Sequence, residues 1–363
     1  MKKIIFALSA VALLGSTLPA QAAKPGGSGA SIRIEALGTP NGARSSRANA
    51  INAAGTVVVG DVYWEATFTS RNNWYAARWT RPTGSGAWLA EDLRPLLPPS
   101  RWSWASLVND AGTVVVRSED DRDGSQYRLL VVSSAGSTID LGLHVVAAAL
   151  GDDDTLAGFR YDPAGALPDE PLYWHSPYSI AETLPVLAAG YGAEATLFAG
   201  GEIRGTATDA DGAWLVFWRG GPGQWVIERS LKLPAGFGFS PGGANAQGRL
   251  AGTHCANPCG WVKFNPPQWR AVAWDSPYAA PPTFLPNLAG TYSWAELVME
   301  SGVVVGSTVA SNGVDMLPVI WPTPSTVKAL PLLPRAKSGG TGGVNRTQIT
   351  GYVAGNAVVW TLP

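Results

Sequence analysis

Three histidines, His144, His175 and His254, are the side chains of this chain whose ordinary pKa suits proton transfer near neutrality. His144 precedes a run of small apolar residues, His175 directly follows Trp174, and His254 abuts Cys255. His254 and His144 are the candidates for a catalytic acid or base. Their Tyr and carboxylate partners would have to arrive from distant loops, because no Gly-x-Ser-x-Gly elbow, His-Glu-x-x-His pair or phosphate loop occurs. Such an assembled site would suit a polysaccharide lyase or hydrolase.

Two other clusters have chemical potential and a plainer reading beside it. Cys255 and Cys259, in His254-Cys-Ala-Asn-Pro-Cys-Gly260, form a close pair that in an exported protein predicts a disulfide closing a small loop. Read as zinc ligands, with His254, they leave the set one short. Glu119, Asp121 and Asp123 stand at alternate positions before Gly124, a partial calcium loop; the closing carboxylate is missing where Leu130 stands, and a solvated turn competes. Asp209-Ala-Asp211-Gly212 and Asp152-Asp-Asp154 read as turns. No cofactor is expected, calcium being the one metal with even a partial motif.

These residues are set in a repeat. A small-residue strand, an Asn/Gly turn and a β-branched strand that stops at glycine recur at 48–60, 107–117, 150–158, 199–205, 244–252, 298–306 and 344–351. After a variable loop a third strand ends at Trp79, Trp174, Trp218, Trp274, Trp321 and Trp360; the second copy has Leu129-Leu-Val-Val132 instead. A fourth strand follows at 89–93, 138–141, 182–186, 226–231, 283–288 and 327–330. The last copy ends without one, while 32–37 is a strand with no hairpin before it. An open stack would leave an unpaired edge at each end, so the two fragments are predicted to join. The expected fold is all-β, a seven-bladed β-propeller of four-stranded blades, closed by an N-terminal strand that completes the last blade. The tryptophan anchors are read as packing between blades.

The hairpin Ala-x-x-Ile-Asn-x-x-Gly-x-Val-Val-Gly followed by an apolar strand ending in Trp resembles the HAF-type repeat of bacterial exported proteins. Residues 48–60 with Ala76 to Trp79, and 297–306 with Trp321, carry the resemblance most closely. It implies a secreted, propeller-like repeat protein and no assigned reaction, so no catalytic residue is carried over.

In a propeller the turns between second and third strands share one face with the crossovers between blades. That face is predicted to gather Trp64, Phe68, Arg71, Trp74, Arg101, Trp102, Trp104, Tyr191, Trp261, Phe264, Trp269, Tyr292 and Trp294, with Arg44, Arg47, Arg335 and Lys337 on crossovers of the same side. Flat rings beside guanidinium groups suit sugar rings or a peptide. The competing reading is that the rings pack the loops onto the blades.

At the N-terminus Lys2 and Lys3, the apolar run Ile4 to Leu14 and Ala20-Gln21-Ala22 form a signal peptide over 1–22, followed by a flexible lead-in, 23–30, and a single propeller domain, 31–363. The expected location is the periplasm or the extracellular space, with no membrane span and no lipid-attachment cysteine. A formal net charge of −1 gives no general affinity for nucleic acid. The expectation is therefore a monomeric, exported module that binds a glycan or a protein through its aromatic, Arg-rich face. The alternatives are the lyase or hydrolase with its His-based site, and a scaffold for envelope assembly.

Overall fold

The structure, a computed structural model, describes residues 31–40, 42–64, 74–82, 86–100, 102–119, 127–199, 202–233, 243–245, 247–255, 269–275, 282–288 and 292–363. Strand β1 (Arg33–Ala36) precedes seven antiparallel blades. Blade one holds β2 (Ala43–Ile51), β3 (Val57–Trp64), β4 (Trp74–Thr80) and β5 (Leu89–Asp92). Blade two holds β6 (Trp102–Val108), β7 (Val114–Glu119), β8 (Tyr127–Val132) and β9 (Thr138–Leu143). Blade three holds β10 (Val145–Leu150), β11 (Leu156–Arg160), β12 (Glu170–Trp174) and β13 (Glu182–Thr183). Blade four holds β14 (Ala193–Ala199), β15 (Glu202–Asp209), β16 (Gly212–Arg219) and β17 (Val226–Lys232). In blade five β18 (Leu250–Cys255), β19 (Trp269–Trp274) and β20 (Thr283–Phe284) pair, and an isolated Ala244–Leu250 bridge marks the innermost position. Blade six holds β21 (Ser293–Val298), β22 (Val304–Val309), β23 (Met316–Thr323) and β24 (Thr326–Ala329). Blade seven holds β25 (Gly339–Val344), β26 (Gln348–Val353) and β27 (Asn356–Thr361).

The ring closes as the complementary ends require. β1 pairs with β27 as the fourth strand of blade seven, with Ile34 opposite Trp360. Burial follows the same circle: the apolar core consists of clusters that each join two neighbouring blades, including one that packs Leu37, Ala357 and Val359 of blade seven on Ala48, Val58 and Trp79 of blade one. The anchor tryptophans are each at most 3% exposed. Several also bond backward by one blade: the indole N–H groups of Trp79, Trp218, Trp321 and Trp360 donate to the carbonyls of Gly38, Pro185, Pro286 and Pro331 at 3.1, 2.8, 2.8 and 2.7 Å. A fully buried indole thus keeps its one donor satisfied.

One local device sets the inner wall. Each inner strand that is described over its full length carries a bulge at the same level: after Ala48, Ala105, Ala147, Ala195, Ala295 and Thr341. The bulged residues are Asn49, Ser106, Ala148, Thr196, Glu296 and the pair Gly342-Gly343. Bulging brings the inner strand's carbonyl against its neighbour, and glycine answers there. A Cβ at Gly60, Gly158, Gly205, Gly306 or Gly351 would lie well inside contact distance of the carbonyl of Arg47, Val146, Glu194, Trp294 or Gly340. These glycines were expected to end their strands; instead the strands run on, to Trp64, Arg160, Asp209, Val309 and Val353, because glycine here relieves a close approach. The bulge re-aims the residues beside it, and those residues differ from blade to blade.

Among the described residues no helix is long and apolar enough to cross a membrane.

Candidate functional site

The upper face is the one bearing the turns between second and third strands. Below its rim, blades one, six and seven enclose a cavity of about 110 Å³ lined by Arg47, Asn49, Glu296, Ser307, Thr341 and Tyr352, with Met316 at its edge. Every one of these polar residues sits at, or one step from, the bulge level of an inner pair. Arg47 lies opposite Asp61, Glu296 and Asn49 are bulged residues, Ser307 follows Gly306, and Tyr352 follows Gly351.

The electrostatics are those of acids kept from water. Burial pushes the Asp61 carboxyl up to about 6, against the lowering effect of its Asn49 hydrogen bond and of Arg47. Asn49 Nδ2 donates to Asp61 Oδ1 at 2.9 Å and to the Ala105 carbonyl of blade two at 3.0 Å. Burial pushes the Glu296 carboxyl up to about 7, partly offset by the Thr341 hydroxyl, which donates to Glu296 Oε2. Burial also raises the Tyr352 phenol, so it remains a neutral donor. The Arg47 guanidinium carbon lies 4.4 Å from the centroid of Trp74 and 5.3 Å from that of Tyr352, held by ring faces.

A second cluster lies on blades two and three. Trp102 and Trp104 stack at 4.8 Å, and Tyr127 meets both edge-on. Arg117 sits 3.8 Å over Tyr127 and 5.2 Å from Trp104. His144 adopts a left-handed backbone, φ 60°, tied by its N–H to the Tyr127 carbonyl and by its carbonyl to the Tyr161 N–H. Its ring meets Tyr161 edge-on at 5.5 Å. Burial raises the Tyr161 phenol, and the charges of Arg117 and Glu119 act on it in opposite directions.

The other expected site residues fall as follows. Trp64 ends β3 and lies under Arg94, 4.2 Å from its ring; Arg94 is fixed by Asp92 at 2.7 Å and borders a shallower cavity of about 170 Å³. Trp74, Trp102, Trp104, Trp269 and Trp294 belong to strands, not to the loops where they were expected, because the second strands run on and pair with them, Tyr63 with Trp74, Arg117 with Trp104, Cys255 with Trp269 and Ser307 with Trp294. All five are half-buried. Arg44 and Arg47 are likewise in β2, not in a crossover. Tyr191 is 37% exposed, Tyr292 is half-buried, and Arg335 and Lys337 are exposed in a crossover. Arg71, Phe68, Arg101, Trp261 and Phe264 lie outside the described residues, as do Cys259, the side chain of Cys255, Asp121 and Asp123. Glu119 is buried at the end of β7, opposite Tyr127. His254 stands on β18, the second strand of blade five, opposite Arg270 and edge-on to Phe284 at 5.3 Å; burial first, then Arg270, pushes its imidazole below the ordinary value. The structure thus separates the two histidine candidates, leaving His144 beside Tyr and Arg and His254 beside Phe and Arg.

Asp61, Glu296, Ser307, Thr341 and Tyr352 were not singled out in the sequence. Their signal was available in the aligned copies. Where the other bulges carry Ala148, Ser106 or Thr196, blade six carries a carboxylate, and where other second strands follow glycine with Phe159 or Thr206, blade one has Asp61.

No protein-family model matches the chain, and no curated protein matches it in sequence. Solved structures match in fold. The β-propeller domain of the Trilobed protease from Pyrococcus furiosus, described as having an open velcro topology, superposes with a TM-score of 0.54 at 8% identity, over 88% of this chain and 94% of that one. Polysaccharide lyase Uly1 gives 0.52 at 9% identity, over 86% and 89%. Acylaminoacyl peptidase of Pyrococcus horikoshii gives 0.51 at 7% identity, over 88% of this chain and 52% of that one. At such identities the likeness is one of fold.

Proposed function

We propose that this chain is an exported glycan-binding propeller of the HAF-repeat type, taking its ligand across the upper rim of the ring. The observation that carries the reading is Arg47, held between the faces of Trp74 and Tyr352 at the mouth of a cavity lined with hydroxyl, amide and carboxyl groups. Rings offer flat apolar faces to the C–H side of a sugar, while the polar wall satisfies its hydroxyls. Titration of cell-wall and plant polysaccharides, followed by tryptophan emission and by retarded migration in polysaccharide-loaded gels, tests it. Binding of a subset is expected, weakened about tenfold or more by Trp74→Ala. Silence across the panel, or a response only to a protein ligand, overturns it.

A second reading rests on a separate observation, the juxtaposition of His144 and Tyr161 beside Arg117. This is the residue set of an acid–base site acting on a polysaccharide. A propeller serving a polysaccharide lyase elsewhere makes polysaccharides the first substrates to offer. New chain ends appearing with time, abolished by His144→Ala and by Tyr161→Phe, would support this reading; intact polysaccharide after long incubation would remove it.

A further inference from the structure

We propose that the cavity between blades one, six and seven is a carboxylate subsite, in which Arg47 takes the carboxyl group of an acidic sugar and Glu296, Asn49, Ser307 and Tyr352 surround it. This rests on the glycan reading and narrows it to acidic saccharides.

Size comes first. At about 110 Å³ the cavity is well below the roughly 300 Å³ at which pockets begin to enclose whole organic ligands, and it has room for only about three or four waters. It therefore accommodates a functional group, with the body of the ligand outside, on Trp74.

The lining then selects the group. Among the described residues no carboxylate forms an ion pair with Arg47, whose guanidinium lies against ring faces and whose one nearby acid, Asp61 on the paired strand, is pushed by burial toward its neutral form. Ser307 is 0% exposed, and its hydroxyl, which lines the cavity, has no hydrogen-bond partner among the described residues. Such a group destabilises the fold unless something in the cavity meets it. A guanidinium, a buried hydroxyl and a phenol converging on one small space are donors awaiting an acceptor, while the Asn49 amide has both of its donors engaged, by Asp61 and by the Ala105 carbonyl. A carboxylate supplies two acceptor oxygens and, while the acids nearby are protonated, the countercharge to Arg47.

The charged and titratable groups packed around the cavity are Arg47 and Asp61 of blade one, Glu296 of blade six and Tyr352 of blade seven. With both acids protonated the set carries +1; with both ionised it carries −1. Burial places that change between about 6 and about 7, whereas a sugar carboxyl is ionised from well below pH 5. An acidic sugar is thus attracted below pH 6 and repelled above pH 7, and binding at pH 7.5 takes up protons.

The test is calorimetric titration of the full mature chain with trigalacturonic acid and with neutral galactotriose, at pH 5 and pH 8. The acidic trimer is expected to bind at pH 5, to weaken about tenfold or more by pH 8, and to lose binding in Arg47→Ala. Glu296→Gln, standing for the protonated acid, should bind it about tenfold better than the natural chain at pH 8. Equal binding of the two trimers, or an unchanged pH dependence in Glu296→Gln, overturns the carboxylate subsite and leaves the glycan reading. No binding of either trimer, in a chain that binds none of the wider panel, overturns both.

Discussion

At the scale of single residues, the glycines that face the bulges from the neighbouring strand and the carboxyl inside the ring make opposite demands. Gly306 leaves no room for a Cβ against the carbonyl of Trp294, so Gly306→Ala must push two paired strands apart. A loss of about 3 kcal/mol, read by urea denaturation, is expected. Glu296 stores energy that depends on pH. Its folded pKa lies above the value of 4.5 it has in the open chain, so the folded state holds the proton more tightly. That stabilisation is present at low pH and is lost as pH climbs from about 4.5 to about 7, and Asp61 behaves likewise between 3.8 and about 6. Glu296→Gln is therefore expected to match the natural chain at pH 5 and to exceed it by about 2 kcal/mol at pH 8, measured as the difference in urea midpoints. The fate of individual side chains was the least legible part of the sequence. Arg47 was visible as a basic residue, but its seat between Trp74 and Tyr352 depends on closing blade seven onto blade one, a contact across some three hundred residues of chain.

At the scale of elements, three hairpin turns, those of blades two, five and seven, are each tied twice by one asparagine. Asn109 Oδ1 accepts the Thr113 N–H at 2.9 Å within its own hairpin, and its Nδ2 donates to the Gly151 carbonyl of the next blade at 2.9 Å. Asn245 does the same with Arg249 and Met299, and Asn345 with Gln348 and Asn52, the last link crossing the point of closure. On the upper side a serine of the inner strand accepts an N–H from the blade before it: Ser46 from Ala357, Ser103 from Ala76 and Ser293 from Ala271, at 2.8, 3.1 and 3.0 Å. Asn109→Ala should cost about 2 kcal/mol. Asn109→Asp keeps the acceptor within its own hairpin but sets a second carboxylate against Asp154, whose Oδ1 accepts from Asn109 Nδ2 at 2.7 Å, so it should cost at least as much at pH 7. Thermal denaturation of the two variants checks this, and an Asn109→Asp chain as stable as the natural one would mean that the link to the next blade contributes nothing. The hairpins themselves were legible, since Asn and Gly at fixed offsets between β-branched runs are local turn chemistry. The bulges were not, because a register shift is a relation between two strands and leaves in the sequence only runs as plain as Ala-x-Ala, Ala-x-Leu or Thr-Gly-Gly-Val. The same geometry decides the fate of Asn345-Arg346-Thr347, a glycosylation sequon in form, whose asparagine amide is engaged with Asn52 and Gln348.

At the scale of the whole molecule, closure makes the ring one cooperative unit and places the cavity at its seam. β1 contributes its ladder to β27, Leu37 its burial, Glu35 an ion pair with Arg81, and Gly38 the acceptor for Trp79. Removal of residues 31–38 is expected to abolish the single cooperative unfolding transition and the near-ultraviolet dichroism of the tryptophans; a truncated chain that keeps both would show the seam to be dispensable. The circle was legible from composition and spacing, because a missing fourth strand at one end and an orphan strand at the other have one economical solution. The chemistry inside the circle was legible only as an oddity, a Glu and an Asp at positions where sister copies carry small or neutral residues. The function proposed here stands on that inner wall, and a crystal of the protein grown at pH 5 and soaked with trigalacturonic acid examines it directly. The expected result is a sugar carboxylate within hydrogen-bond distance of the Arg47 guanidinium and the sugar ring over Trp74. A trimer seated on the outer strands or the lower turns, with the cavity holding solvent alone, would contradict it.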